Sequence, residues 1–92
     1  MTQMPVTREQ RKEPRRRASG PIQICFQNPE PVEFEGSLID LSPTGFRAIH
    51  ECGSLPSGAA VEFRHSASSG EARVMWNRYE GDHIESGFLL IP

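Results

Sequence analysis

Apolar side chains alternate with polar ones along most of this chain, in short runs. Ile22, Ile24 and Phe26 alternate with Gln23, Cys25 and Gln27, the period of a half-buried strand opened by Pro21. Asn28-Pro29-Glu30-Pro31 breaks it. Residues 32–41 predict a second strand, with Phe34, Gly36 and Leu38 on one parity and Gly36 marking a bulge or bend. Ser42-Pro43-Thr44-Gly45 predicts a tight turn, since Pro pre-sets φ and Gly is open to positive φ. Phe46, Ala48 and His50 continue as a third strand. Val61 and Phe63 define a fourth, followed by a polar turn from Ser66 to Gly70. Ala72, Val74 and Trp76 share one face of a fifth strand, a parity that assigns Trp76 to the core. After a turn at Glu80-Gly81-Asp82, residues 83–91 supply a sixth strand, with Ile84, Phe88 and Leu90 apolar.

Turn residues recur about every eight to twelve positions, and no stretch has helical periodicity. Six short strands joined by short loops are best accommodated by closing the sheet. The expected fold is therefore all-β, a six-stranded antiparallel β-barrel over residues 20–92. Residues 1–19 have a different texture. Met1, Met4, Val6 and Ala18 are isolated among charges punctuated by Pro5 and Pro14, too few apolar groups to offset ordering entropy. That segment is expected to form a flexible basic N-terminal arm.

Charge sharpens the division. Residues 1–17 hold six basic and two acidic side chains, a net +4, whereas the remainder holds four basic and ten acidic ones, a net −6. The chain as a whole is at −2. A basic tail on an acidic body either steers an anionic partner or folds back on its own body. There is no apolar run long enough to cross a bilayer and no leader-like pattern, so a cytoplasmic address with no membrane partner is expected. Cys25 and Cys52 lie far apart, and His50, His65 and His83 are scattered, which gives neither a disulfide framework nor metal-ligand spacing. No nucleophile elbow or other catalytic constellation accompanies Ser42, so the chain is not expected to be an enzyme.

Two stretches carry binding chemistry. Arg11-Lys12-Glu13-Pro14-Arg15 is an Arg-x-x-x-Arg in the arm, and Asp40-Leu41-Ser42-Pro43-Thr44-Gly45 is an Asp-x-Ser-x-x-Gly after a strand. Arginine forks grip phosphates and the O6/N7 edge of guanine, while a carboxylate accepts from guanine N1–H and N2–H. Together they suit a small anionic guanine ligand. Arg16 is an auxiliary phosphate candidate, Trp76 could flank a base, and Arg47 and Arg78 could add positive potential.

In this order, embedded in six strands, the two motifs resemble a PilZ domain, the bacterial receptor module for cyclic di-GMP. Pro21-Ile22, the Leu55-Pro56-Ser57-Gly58 turn, Ala72-Arg73-Val74-Met75-Trp76 and Ser86-Gly87-Phe88-Leu89-Leu90 extend the likeness over residues 8–91. Gln10 stands where the family often has a further arginine, a neighbourhood that in the family affects whether one nucleotide or a stacked pair is bound. The resemblance implies that Arg11 and Arg15 bracket cyclic di-GMP, that Asp40 and Ser42 hold guanine, and that Gly45 permits close backbone approach. It further implies ordering of the arm on binding and signalling through a downstream protein, with no cofactor. Two rivals remain: a PilZ-like adaptor that docks a protein without nucleotide, and a small barrel that uses its arm on nucleic acid. The acidic body weighs against the last.

Overall fold

The computed structural model describes residues 14–92. Seven strands form one antiparallel sheet: β1 (Arg16–Arg17), β2 (Pro21–Gln27), β3 (Pro31–Ser42), β4 (Gly45–His50), β5 (Ala60–His65), β6 (Ser68–Glu80) and β7 (His83–Ile91). The order is β1-β3-β2-β5-β6-β7-β4, and pairing of β3 with β4 closes the ring. β1 is not a seventh stave. It continues the line of β2 along the same edge of β3, with Arg17 opposite Asp40 and Pro21 opposite Ser37. The result is a closed six-stranded barrel with one short extra strand, and the described residues contain no helix.

The period-two runs behave as their patterning requires. Ile22, Ile24, Phe26, Phe46, Ala48, Val61, Phe63, Ala72, Val74 and Phe88 all turn inward into one core cluster. Each large apolar side chain so buried contributes roughly 1.5–3 kcal/mol relative to exposure. Phe46 sits at the centre, stacked on Phe88 with ring centroids 4.6 Å apart and tilted against Phe63 at 4.9 Å.

Four details differ from the sequence pattern. The bulge in β3 falls at Ile39, three residues beyond Gly36, where pairing with β4 slips between Leu38 and Asp40. The polar stretch after β5 turns at Ser66-Ala67 alone, and Ser68, Ser69 and Gly70 pair with His65, Arg64 and Phe63. Their polarity signalled a loop, but ladder pairing overrides weak strand propensity. The arm expected over residues 1–19 is in the sheet at its C-terminal end. Arg16 pairs with Leu41, and the Ala18 amide donates to the Ile39 carbonyl at 3.0 Å. Trp76, finally, is not in the core, because the pairing of β6 with β7 slips between Val74 and Trp76.

Gly45 is required by the barrel itself. It begins β4 opposite Leu89, and a Cβ there would run into the Phe88 carbonyl oxygen. The close approach that the motif's glycine permits is thus between β4 and β7. Gly45→Ala is expected to lower the urea midpoint by an amount equivalent to about 1–3 kcal/mol.

A buried polar chain fastens the loop between β4 and β5. The Cys52 amide donates to His50 Nδ1 at 3.0 Å, which leaves the ring proton on Nε2 to donate to Ser86 Oγ at 2.7 Å. The Ser86 hydroxyl donates to Asn77 Oδ1, and Asn77 Nδ2 donates to the Leu55 carbonyl at 2.9 Å. Every link fixes the next. Burial lowers the pKa of His50 below its ordinary 6.5, and that of His65 likewise. The unfolded chain therefore takes up these protons first as pH falls. Stability should be level above about pH 6.5 and decline below it, by up to about 1.4 kcal/mol per pH unit for each proton. Urea titrations between pH 7.5 and 5.5 test this; His50→Gln should show a shallower decline, and an unchanged slope would refute the assignment to His50.

Candidate functional site

The Ile39 bulge decides which way Asp40 faces. Leu38 lies opposite inward-facing Ala48, and unbroken alternation would send Asp40 inward as well. One extra residue shifts the phase, so Asp40 pairs with Arg47, which alternates with buried Phe46 and Ala48 and lies on the outer surface. A second bulge does the same on β6. Val74 lies opposite buried Phe88, pairing slips across Met75, and Trp76 comes to lie opposite Gly87, 37% exposed. The parity that assigned Trp76 to the core holds only up to Val74.

Register then sets Arg17, Asp40, Arg47, Gly87 and Trp76 in one lateral row across β1, β3, β4, β7 and β6. Gly87 is the gap in that row, and the Trp76 indole fills it: a Cβ on Gly87 would collide with the ring. In the next row Arg78 faces Glu85.

Alternating charges run along these rows. Arg15 Nη1 donates to Asp40 Oδ1 at 2.7 Å. Arg47 Nε donates to Asp40 Oδ2 at 2.8 Å, and its Nη2 donates to the same oxygen. Arg47 Nη1 donates to Glu85 Oε2 at 3.0 Å, and Arg78 Nη2 to Glu85 Oε1 at 2.7 Å. Arg78 Nε ends the series on Glu80 Oε2 at 2.7 Å, with its guanidinium carbon 5.6 Å from the Trp76 ring centroid, within cation–π range. Asp40 is only 5% exposed although it lies on the outer face, because the two arginines cover it. Bonding to Asp40 raises the Arg47 pKa further, and bonding to Glu85 does so for Arg78, so both stay charged at any working pH.

The expected site residues thus separate. Arg15 and Asp40, 25 positions apart in sequence, are in direct contact. Ser42 closes its own turn, its hydroxyl directed at the Gly45 carbonyl at 3.4 Å, and Gly45 serves the β4–β7 contact. Arg16 is exposed and lines, with Pro14, Ser42, Pro43 and Gly45, a cleft of ≈ 530 Å³ that reaches His65. Arg11 lies outside the described residues. Arg47, Glu85 and Arg78, which the motifs did not mark as site residues, link the site across the barrel. Their signal was available in the hairpins: counting back from the turns at Pro43-Thr44 and Gly81-Asp82 places Asp40 opposite Arg47 and Arg78 opposite Glu85.

A second cleft, ≈ 460 Å³ on the β2–β5–β6 face, is lined by Glu33, Glu62 and Glu71 beside Arg64, an unfavourable setting for an anion. Among the described residues no three His, Cys, Asp or Glu side chains gather as a metal site. No protein-family model matches the chain, and no curated protein sequence matches it either.

Removing Arg47 would leave Asp40 and Glu85 each short of a cation in a largely covered position. Arg47→Met is expected to destabilise the fold by about 1–3 kcal/mol, measured by urea titration. An unchanged midpoint would mean that the charge series contributes nothing to stability.

Proposed function

We propose that this chain is a non-enzymatic PilZ-type receptor that binds cyclic di-GMP on the outer face of its barrel and signals, in the cytoplasm, through a partner protein. The observation that carries the reading is the Arg15–Asp40 contact: the arginine of one motif and the aspartate of the other, remote in sequence, stand 2.7 Å apart. Pairing of β1 with β3 supports that meeting of Arg15 with Asp40. Arg15, Arg16 and Arg17 are exposed beside it and supply the positive potential a dianionic nucleotide requires. A guanidinium is suited to both halves of the ligand, since its fork fits phosphate oxygens and the O6/N7 edge of guanine. The adjoining cleft, walled by Arg16 and the β3–β4 turn, offers room for part of a ligand of this size.

In this reading Arg15 is already seated on Asp40 before ligand arrives. Calorimetric titration of cyclic di-GMP into wild type, Arg11→Ala and Arg15→Ala tests the proposal. Each variant should bind about 10- to 100-fold more weakly, the cost of one lost charge-assisted contact. Wild-type affinity in both would remove the site. GTP and linear dinucleotide in parallel separate specific recognition from charge attraction alone, which would also show steep salt dependence.

A further inference from the structure

The two ends of the barrel are finished differently. At one end the loop between β4 and β5 drops Leu55 into the core, 3% exposed. The other end, between the β3–β4 and β5–β6 turns, carries the ≈ 530 Å³ cleft. The cleft is apolar at depth, where Leu41, Phe46, Phe63 and Leu90 converge. Phe63 stacks on His65 with ring centroids 5.6 Å apart and tilts against Phe46 at 4.9 Å, so flat rings line one side.

The polar groups of this cleft are chiefly donors. Residues directly opposite in a sheet share a face, so Arg17 goes with Asp40 to the outer row and Arg16 goes with Leu41 to the barrel mouth. Among the described residues no carboxylate bridges Arg16, and no aspartate or glutamate lines the cleft. The Ala67 amide donates to His65 Nδ1 at 3.2 Å, which places the proton of the neutral ring on Nε2 as a donor. An unpaired guanidinium and an imidazole N–H above an apolar recess complement a carboxylate that carries a hydrocarbon tail.

We infer that the barrel mouth is a binding site for an amphipathic monocarboxylate of the medium-chain fatty-acid class, with its carboxylate on Arg16 and its chain in the recess formed by Leu41, Phe46, Phe63 and Leu90. Sugar and phosphate would lose water against those side chains without gaining polar partners, so the depth of the cleft does not suit a nucleotide. The inference is independent of cyclic di-GMP binding, which concerns the outer row and the rim of the cleft. The experiment follows backbone amides by NMR while octanoate is titrated into wild type, Arg16→Gln and Arg15→Ala, with octanol and acetate as controls. Octanoate should shift Phe46, Phe63, His65 and Leu90. Arg16→Gln should bind it about tenfold more weakly or worse, the loss of one charge-assisted contact. Octanol lacks the charge and acetate lacks the tail, and each should be weaker by a similar factor. Arg15→Ala, altered only on the outer row, should bind octanoate as wild type does. No binding, octanol as tight as octanoate, an unaffected Arg16→Gln, or an equal loss in Arg15→Ala would each overturn the inference. Octanoate binding in a protein that ignores cyclic di-GMP would remove the nucleotide reading and leave this one standing.

Discussion

A carboxylate held between two guanidinium groups organises this molecule's outer face. Asp40 could not remain so covered without cations on both sides, since an uncompensated charge in that position costs several kcal/mol. Arg47 arrives from the hairpin partner, seven positions along the chain. Arg15 arrives from beyond β2, and it reaches Asp40 only because β1 lies along β3. The same bond therefore holds the Arg15 side chain and the strand that follows it against the barrel.

Two bulges make that face possible. A strand with perfect alternation can display either its apolar set or its polar set outward, never a mixture in mid-course. β3 needs Leu38 inside and Asp40 outside; β6 needs Val74 inside and Trp76 outside. Each strand solves the problem with one residue skipped in its register, Ile39 against β4 or Met75 against β7, and the two solutions meet in a single lateral row. The cost is local ladder disruption, offset by the charge series on one side and by indole packing over Gly87 on the other.

How far the chain could be read in advance follows from this. Regular alternation at Ile22–Phe26, Val61–Phe63 and Ile84–Phe88 announced strands and core, because period two is a local property. The hairpin pairs Asp40–Arg47 and Arg78–Glu85 were also within reach, since a two-residue turn sets register by counting. Phase shifts were not. Whether Trp76 faces in or out depends on an extra residue opposite Gly87, and nothing in Val74-Met75-Trp76 by itself demands it. Arg16–Arg17 as a strand was hidden for a similar reason: two arginines have no strand character apart from the β3 edge that receives them. The meeting of β4 with β7, which joins the two hairpins' charges into one series, is likewise a matter of barrel closure rather than of local sequence.

Trp76 also gives the molecule a built-in optical gauge. It is the sole tryptophan, half covered, pressed on the backbone of β7 and flanked by the cation of Arg78. Its emission consequently originates from one environment, at the far end of the charges that begin at Arg15. Any rearrangement that travels along them would alter the field around this single chromophore, with no label added.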